Sequence, residues 1–350
     1  MNEKVTILQV AERAGVSQSA VSRFFTPGAS VSKKTAAKVQ AAAEELGYRP
    51  NVLARAMASG RSRIIGLVVA YLGNPFYPEA LEKLSNALQK RGYHALVFMA
   101  SRTAGNIDTV MQEILDHQVD GIILASVAMS SDISSRCRQL GVPAVLFNRT
   151  QDIEGLTAVT SDNRAGGRAV AEFLMAGGHR RIAHIAGWEG ASTQRDREAA
   201  FRAALEAAGQ SLFARACGQF TLEGAAAATR EIFDVPAERR PDAVFVANDY
   251  MAFTVIDVLR HDLGLRVPED VSVVGYDDVP QARLRSYSLT TVRQRANVMV
   301  AETVEALLEQ IESPETAQPR HIQIKGPLIL RGSARIPAGW PQKDKTDVRL

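Results

Sequence analysis

The chain has 350 residues, which predicts two or three domains, and a content of 46% hydrophobic and 23% charged residues excludes a disordered or fibrous protein. No apolar run is long enough for a membrane-spanning helix, and the charged N-terminus lacks a secretory signal, so we expect a cytoplasmic protein. The net charge of +3 is unevenly distributed, because residues 1–63 carry ten Lys and Arg against four Glu. Such asymmetry suggests a segment that binds a polyanion such as DNA, although charge alone favours a solvated basic surface.

Three helical patterns follow one another at the start of the chain. The first places apolar residues at i, i+3, i+4 and i+7 and is followed by Gly15, which tolerates the left-handed conformation of a helix C-cap. Ser17 is placed to cap the second helix and Ser32 to cap the third, which Gly47 ends. Two short helices joined by a glycine-containing turn predict a helix-turn-helix head.

A change of composition follows this head. Pro50 disfavours helical backbone at Arg49, and a short helical pattern at 52–58 has little apolar surface. This segment is either a plain linker or a helix that forms only on contact with a partner.

From Arg63 onward, apolar strand-like runs alternate with amphipathic helical patterns. Continuous apolar strands separated by helices predict parallel sheets covered on both faces. About 280 residues exceed one usual sheet domain, so we expect two lobes with a cleft between them. The strand-like runs are 64–70, 95–99, 121–125, 144–147, 182–186, 243–247 and 271–276, and the helical patterns are 76–90, 107–117, 163–176, 195–208, 222–233, 249–263 and 296–311.

An ordered set of short phrases through the chain closely resembles the LacI/GalR family of bacterial transcription repressors. The resemblance covers essentially residues 5–335. Its phrases include VTILQVAERAGVSQSAVSRF and ARAMASGRSRIIGLVV near the start, then NPFYPE, VDGIILAS, SDNRAGG, RDREAAF, VFVANDYMA and VGYDD.

The resemblance implies an all-α helix-turn-helix head followed by an α/β core like the periplasmic binding proteins, built of two doubly wound parallel-sheet lobes. It also implies a homodimer, with a tetramer in some members. The implied segments are a DNA-binding head at 1–49, a hinge helix or linker at 50–61, a core at 62–340 and a polar tail at 341–350. Within the core, the N-lobe is expected at about 62–160 and 292–323, and the C-lobe at about 161–291 and 324–340.

In such a head, the second helix lies in the major groove and reads base edges, while other contacts hold phosphates. Arg23 is suited to a bidentate contact with guanine and Gln18 to a contact with adenine. Ser17 and Ser32 are also candidates for helix N-caps, a role that competes with a phosphate contact. For Ser17 we expect the cap. Matched to the family motif, the base-facing residues are Gln18, Ser19 and Arg23, the phosphate contacts are Thr6, Ser17, Ser22, Ser32 and Thr35, and the hinge contacts are Asn51, Ala54 and Met57.

The chain departs from the family pattern at two places in this region. Phe24 and Phe25 stand where the family carries smaller aliphatic residues, and we expect them to deepen the small core of the head. In the hinge, the family places a leucine that wedges between base pairs of the minor groove, and here the matching residue is Met57. Methionine either unstacks the bases in the same way or packs against its mate in the dimer.

In the core, the resemblance carries effector contacts onto residues that follow strands, where ligands of parallel α/β sheets bind. Aromatic walls combined with amide, guanidinium and carboxylate groups suit a sugar or sugar acid. Arg149 and Arg195 hint at an anionic ligand, and a purine or nucleoside is the alternative. The matched residues are Phe76, Tyr77, Ser126, Asn148, Arg149, Arg197, Phe220, Asn248 and Asp277.

Two other protein classes share parts of this pattern. An α/β enzyme would need a nucleophile elbow, a phosphate loop or a metal cluster, and the sequence contains none of these motifs. A transport solute-binding protein shares the core but needs no basic helical head. We therefore expect an effector-controlled DNA-binding repressor without enzymatic activity, catalytic residues, cofactor or metal, acting at the bacterial nucleoid. The C-terminal tail has no leucine heptads, which favours a dimer over a tetramer.

Overall fold

The computed structural model describes residues 5–25, 29–49, 61–100, 107–127, 131–151 and 155–341. Its contacts divide the chain into two compact units. One comprises Met1–Ile64 with Gln118–Asp120, and the other Ile65–His117 with Gly121–Leu350. The helices are α1 (Ile7–Ala14), α2 (Gln18–Phe24), α3 (Lys33–Leu46), α4 (Phe76–Lys90), α5 (Ile107–Asp116), α6 (Ser131–Gln139), α7 (Asn163–Ala176), α8 (Ser192–Ala207), α9 (Leu222–Phe233), α10 (Asp249–Asp257) and α11 (Ala296–Glu312).

Twelve strands are formed within the described residues, and most of them are only four to six residues long. They are β1 (Ile64–Val69), β2 (His94–Met99), β3 (Gly121–Ala125), β4 (Ala144–Phe147), β5 (Thr157–Ser161), β6 (Ile182–Ala186), β7 (Ala214–Cys217), β8 (Ala243–Val246), β9 (Ser272–Asp277), β10 (Thr290–Arg293), β11 (His321–Ile324) and β12 (Leu328–Ile329).

The head is the three-helix segment α1–α3, as its sequence predicted. Thr6 and Gln9 form a capping box at the start of α1, and Gly15 ends that helix with φ 63°. The core of the head is small and is centred on Val10, Val21 and Val39, which are fully buried. One buried valine from each helix therefore holds α2 against α1 and α3.

The N-lobe contains a six-stranded sheet in the order β11-β5-β4-β3-β1-β2. The neighbours from β11 through β1 are parallel. Helices α4 and α11 pack on the sheet and bury residues such as Leu84, Leu88 and Leu307 against it. All five residues of β3 and all four of β4 are buried, because both faces of the sheet are covered.

The C-lobe contains a second six-stranded sheet in the order β12-β10-β9-β8-β6-β7, in which only β12 is antiparallel to its neighbour. Helices α9 and α10 cover one face and α7 and α8 the other, and Phe201, Phe233 and Phe245 are fully buried. Two doubly wound, mostly parallel sheets are the architecture expected from the sequence.

The chain passes between the two lobes three times. The first crossing follows β5 at Asp162, the second follows β10 at Gln294, and the third follows β11 at Lys325. The backbone amide of Asp162 donates to the carbonyl of Ile324 at 2.9 Å, so two of the crossings touch. The residue boundaries assigned to the segments of the chain remain predictions.

Several elements differ from the sequence-based expectation. The helix expected at 249–263 ends as an α-helix at Asp257 and continues as a π-helix over Val258–Asp262. Helix α6 and strands β5, β7, β10, β11 and β12 were not anticipated, because they are short and have polar or mixed composition. None of the helices in the described ranges is both long and apolar enough to cross a bilayer.

Glycine is required where α7 crosses α8. A Cβ built at Gly167 would overlap the backbone carbonyl of Arg197, and one at Gly166 would overlap the ring of Tyr276. Gly167 therefore lets α7 approach the α8 backbone at Arg197, and Gly166 lets α7 approach the ring of Tyr276.

Gly167→Ala is expected to lower the free energy of unfolding of the C-lobe by about 1–3 kcal/mol, because the added methyl forces the packed helices apart. Both tryptophans, Trp188 and Trp340, lie in the C-lobe, so urea denaturation followed by intrinsic fluorescence measures this change. The control is Arg168→Ala on the exposed face of α7, which should change stability by less than about 0.5 kcal/mol. Equal stability of both variants would contradict the close-packing argument.

Candidate functional site

The exposed face of α2 is the first candidate surface. Gln18, Ser19, Ser22 and Arg23 are all exposed, as they must be to reach base edges. The Nε of Arg23 donates to the carbonyl of Ser19 at 3.3 Å, one helical turn earlier, which directs the side chain along the helix surface. A short helix with this polar face fits the major groove, whereas Val21 on the opposite face is buried.

The serines at the starts of α2 and α3 act as helix caps. The Oγ of Ser17 accepts from the amide of Ala20 at 3.3 Å, as expected. The Oγ of Ser32 accepts from the amide of Thr35 at 3.2 Å, and the two hydroxyls of that pair lie 2.9 Å apart. Thr6 likewise caps α1. These hydroxyls are occupied locally, while Thr6, Ser17 and Ser32 remain exposed on the head.

The two phenylalanines that depart from the family pattern pack as an aromatic cluster. The ring centroids of Phe24 and Phe25 lie 4.9 Å apart, and those of Phe25 and Tyr48 lie 5.6 Å apart. Both phenylalanines are half-buried against the head core, as expected. The predicted hinge contacts Asn51, Ala54 and Met57 lie outside the described residues.

The second candidate site lies between the lobes, where the carboxyl ends of both sheets meet. The residues that line it come from both lobes. From the N-lobe they are Tyr71, Asn74, Tyr77, Asn148 and Arg149, and from the C-lobe Thr193, Arg197, Phe220, Asn248 and Asp277.

Arg197 and Asp277 form the charged centre of this cleft. Both are almost fully buried, and Nη2 of Arg197 lies 3.8 Å from Oδ1 of Asp277. Arg197 donates through Nε to Oδ1 of Asn163 at 2.9 Å and through Nη1 to the carbonyl of Ala247 at 2.6 Å. Its guanidinium lies 3.6 Å from the centre of the Tyr276 ring. The arginine is therefore fixed in one orientation before any ligand binds.

The carboxylate of Asp277 is held from two sides. Its Oδ1 accepts from Nε2 of Gln294 at 2.7 Å, and its Oδ2 accepts from Nδ2 of Asn74 in the N-lobe at 3.2 Å. A second bond joins the lobes where the amide of Thr150 donates to Oγ of Ser192 at 2.9 Å. Together with the bond between the hydroxyls of Ser161 and Tyr276 at 3.0 Å, these contacts join the lobes around the cleft.

A polar cluster forms the N-lobe wall. The hydroxyl of Tyr77 is hydrogen-bonded to Oγ of Ser126, and it accepts from Nδ2 of Asn148 at 3.1 Å. Oδ1 of Asn148 and Nε of Arg149 are buried without a hydrogen-bond partner among the described residues. Buried polar groups are normally paired, so these two atoms mark hydrogen-bonding capacity available to a ligand.

Arg149 and Phe220 meet across the cleft. Nη1 of Arg149 donates to the carbonyl of Ser126 at 3.1 Å, and its guanidinium carbon lies 5.8 Å from the centre of the Phe220 ring. Asn248 caps α10 by accepting from the amide of Met251 at 3.0 Å. Its Nδ2 makes no hydrogen bond within the described part of the chain and is available to the cleft.

Backbone strain concentrates around the same site. Non-glycine residues rarely adopt positive φ, and such strain is typically retained at binding sites. Six residues of this kind follow the strands at the cleft: Ser126, Asn148, Gln219, Phe220, Asp277 and Asp278.

Three residues expected at the cleft do not line its cavity, and one of them, Ser126, is buried with its hydroxyl bonded to that of Tyr77. Phe76 packs in the N-lobe core, where its ring stacks on Phe147 with centroids 6.2 Å apart, and Tyr71 joins Tyr77 in the wall instead. Arg195 is exposed on α8 and does not line the cleft. Of the two arginines that suggested an anionic ligand, Arg149 and Arg195, only Arg149 lines the cleft.

Sequence reasoning missed Tyr71, Asn74 and Thr193. Thr193 lies four residues before Arg197, on the same face of α8, and that spacing is a signal that was available. Tyr71 and Asn74 lie in the loop after β1, where loop geometry decides which side chains turn inward.

The closed cleft encloses a volume of only about 10 Å³, which is the space of one water molecule. Small-molecule sites of proteins enclose about 300–1,000 Å³. The lobes must therefore separate, or the lining side chains must move, before a ligand can enter.

An unused carboxyl group lies beneath the cleft. Asp249 is completely buried, and its oxygens accept from Oγ1 of Thr291 at 2.6 Å and the amide of Val279 at 3.0 Å. Burial, aided by the negative charge of Asp277, raises the pKa of Asp249 to about 8. Burial also raises the pKa of Asp277, opposed by the Arg197 guanidinium. The raised pKa favours a neutral carboxyl at Asp249, whereas Asp277 faces the Arg197 cation.

The described residues contain no group of three or more His, Cys, Asp or Glu side chains placed to hold a metal ion. His184 and Glu198 are engaged in a C-lobe network instead. Nδ1 of His184 donates to the carbonyl of Phe245 at 2.9 Å, and Glu198 accepts from Nε of Arg215 at 2.7 Å. Burial lowers the pKa of His184 to about 4, and the Arg215 hydrogen bond lowers that of Glu198 to about 2, against the effect of its burial.

Comparison with known proteins agrees with this geometry. Residues 6–51 match the family model of bacterial regulatory proteins of the lacI family, and residues 155–334 match a periplasmic binding protein-like domain. The HTH-type transcriptional regulator CelR of Thermobifida fusca is 34% identical over 339 residues, which cover 94% of this chain and 98% of the relative. The chain belongs to the lacI family.

Solved structures of lacI-family proteins extend the similarity to the whole fold. The lac repressor dimer bound to operator and the anti-inducer ONPF superposes with a TM-score of 0.84 at 27% identity, covering 95% of this chain and 99% of that one. A CelR–cellobiose complex has a TM-score of 0.71 at 33% identity, covering 95% and 100%. The fold and family expected from the sequence are confirmed.

The buried Asp249 predicts a pH dependence of stability. In the unfolded chain its carboxyl ionises near pH 3.8, whereas in the folded protein it stays protonated to about pH 8. The free energy of unfolding therefore falls as pH rises between these values, by at most about 1.4 kcal/mol per pH unit from this group.

Asp249→Asn is expected to remove that part of the slope, because an amide does not titrate. The measurement is urea denaturation by intrinsic fluorescence between pH 5 and pH 8. Asp257→Asn, at an exposed position of the same helix, is the control and should leave the slope unchanged. A slope in Asp249→Asn equal to that of the wild type would show that Asp249 is ionised in the folded protein.

Proposed function

We propose that this protein is a transcription repressor that binds a specific operator as a homodimer and whose operator affinity is set by a sugar or sugar-acid effector in the cleft between the lobes. The observation that carries the proposal is the presence, in one lacI-family chain, of an exposed polar α2 and a closed cleft lined by paired and unpaired polar groups. The full-length similarity to the lac repressor–operator and CelR–cellobiose structures supports both parts.

In this proposal, Gln18, Ser19 and Arg23 read bases from the major groove. Thr6, Ser17, Ser22, Ser32 and Thr35 position the head on phosphates, and Asn51, Ala54 and Met57 act in the hinge. A dimer presents two copies of α2 to sites one helical turn, about 34 Å, or a multiple apart. The operator is therefore an inverted repeat.

The effector acts on the closure of the cleft. Its hydroxyls replace the contacts that Asp277 and Ser192 now make across the lobes, while Arg197, Asn148 and Asn248 bind them and the aromatic rings cover apolar sugar faces. Because a ligand shifts an equilibrium only by its differential affinity, the effector must bind one degree of closure better than the other.

The effector is found by a thermal-shift screen of sugars, sugar acids and purines on the full chain. A ligand present at a hundred times its Kd stabilises the folded protein by about 2.7 kcal/mol, which gives a measurable rise in melting temperature. Stabilisation only by purines would replace the sugar proposal with a nucleobase effector, and a ligand that is converted to product would point to an enzyme.

Arg23→Ala is expected to weaken binding to the best inverted repeat by about 1–3 kcal/mol and to relax the base preference at one position of each half-site. The inverted repeat is selected from a random DNA pool, and affinity is then measured by fluorescence anisotropy at fixed salt. Arg13→Ala, which removes an equal charge from α1 where Arg13 pairs with Glu45, is the control. If Arg23→Ala weakened binding to all DNA sequences equally, Arg23 would contact a phosphate and not a base.

Asp277→Asn is expected to weaken effector binding at least tenfold, because the acceptor facing Arg197 loses its charge. The substitution also removes one carboxylate acceptor of a contact between the lobes, so operator affinity without effector is measured in parallel and the response to effector is expressed relative to it. Asp196→Asn, on an outer part of α8 where Asp196 pairs with Arg164, is the matched control and should change neither property. An unchanged operator response of Asp277→Asn to the effector would contradict the assignment of the cleft.

A further inference from the structure

Trp188 lies at the mouth of the cleft on the loop between β6 and α8, and 41% of its surface is exposed. The loop is anchored on both sides. The amide of Gly187 donates to Oε1 of Gln194 at 2.6 Å, and its carbonyl accepts from Sγ of Cys217 at 2.9 Å. Glu189 pairs with Arg215 at 2.6 Å. A large apolar side chain is thus exposed from a fixed support, which is the arrangement of a binding residue rather than of a mobile loop tip.

Two glycines seat the aromatic rings on this loop. A Cβ at Gly190 would overlap the indole of Trp188, and a Cβ at Gly187 would overlap the ring of Phe220. Both rings therefore lie against the loop backbone. The guanidinium carbon of Arg149 lies 5.7 Å from the indole centre and 5.8 Å from the Phe220 ring centre. Arg149 faces both rings from the other lobe.

The three side chains differ in depth. Phe220 and Arg149 line the inner cavity, whereas Trp188 does not. A ligand ring bound beside Arg197 and Asp277 can reach Phe220 and Arg149, but only a ligand that extends outward past Arg149 can reach Trp188. The buried Nε of Arg149 lacks a partner among the described residues, so it is a donor available at this boundary.

We infer that Trp188 and Arg149 form an outer subsite that binds the second ring of an effector made of at least two sugar units. The inference rests on the proposed sugar-binding function of the cleft. The indole stacks on the apolar face of the second sugar ring, and the guanidinium donates to its hydroxyls or to the linking oxygen.

The competing explanation is that Trp188 only covers Arg149 when the lobes close. In that case, removal of the indole changes closure itself and affects every ligand of the cleft equally. An outer subsite instead affects a disaccharide and leaves its monosaccharide unit unaffected, which makes the two explanations separable.

The first measurement uses Trp188 as a reporter. The chain has two tryptophans, and Trp340 packs on Phe173 of α7, so Trp340→Phe leaves Trp188 as the source of indole fluorescence. The probes are matched pairs of disaccharide and monosaccharide: cellobiose with glucose, xylobiose with xylose, and maltose with glucose. We expect the disaccharide that binds to shift or quench the Trp188 emission and its monosaccharide to leave the emission unchanged.

The second measurement compares affinities by calorimetry. Trp188→Ala should raise the Kd of the disaccharide about tenfold and leave that of the monosaccharide within twofold, whereas Trp188→Phe should retain most of the affinity. The control is Phe213→Ala, which removes an aromatic ring that is 45% exposed on the same lobe, near the opposite end of β6. It should change neither Kd. The unchanged monosaccharide affinity also shows that Trp188→Ala is folded.

The outcomes separate the inference from the function on which it rests. Equal loss for both members of a pair, or no loss for the disaccharide, overturns the outer subsite and leaves a sugar-binding cleft. Binding of monosaccharides without binding of any disaccharide also overturns the outer subsite and leaves a sugar-binding cleft. Failure of every saccharide to bind the wild-type chain removes the sugar effector and the subsite together, while leaving the proposed DNA binding to be judged by its own assay.

Discussion

The buried pair of Arg197 and Asp277 is the interaction on which the cleft depends. Taking two charges out of water costs several kcal/mol per ion, and their attraction offsets this only if the remaining hydrogen bonds are satisfied. Asn163, the Ala247 carbonyl and the Tyr276 ring satisfy the arginine, and Asn74 and Gln294 satisfy the aspartate. The partners come from both lobes, so the charge pair links the C-lobe sheet, the α7–α8 crossing and the loop after β1. Any ligand that takes over one of these bonds alters the contact between the lobes.

Much of the fold could be predicted from the sequence, because helices and buried parallel strands have distinct patterns. The strands that the sequence patterns did not predict are polar or lie at a sheet edge. Residues Thr157–Ser161 form β5 although three of the five are polar, and His321–Ile324 form β11 at the sheet edge with alternating exposure. Such segments become strands because neighbouring strands offer hydrogen bonds: β5 lies between β4 and β11, and β11 pairs with β5, which is more than a hundred residues away in the sequence.

The site was predictable in position and less so in orientation. Topology brings the residues after the strands to one edge, and this places Asn148, Asn248 and Asp277 together. The direction of each side chain depends on rotations that a pattern does not resolve. Phe76 and Tyr77 are adjacent on α4, and only Tyr77 faces the cleft. Trp188 carries no periodic signal, since it belongs to a loop whose shape is set by Gln194, Cys217 and two glycines.

The three crossings between the lobes have a consequence for synthesis on the ribosome. The N-lobe sheet is incomplete until α11 and β11 have been made, and the C-lobe sheet is incomplete until β12 pairs with β10. Neither lobe can therefore finish folding until more than nine-tenths of the polypeptide has emerged. The buried core of the head draws only on Val10 through Ala43 and can form early. The nascent chain thus carries a folded helix-turn-helix head well before the two lobes are complete. The cleft between the lobes forms only late in translation.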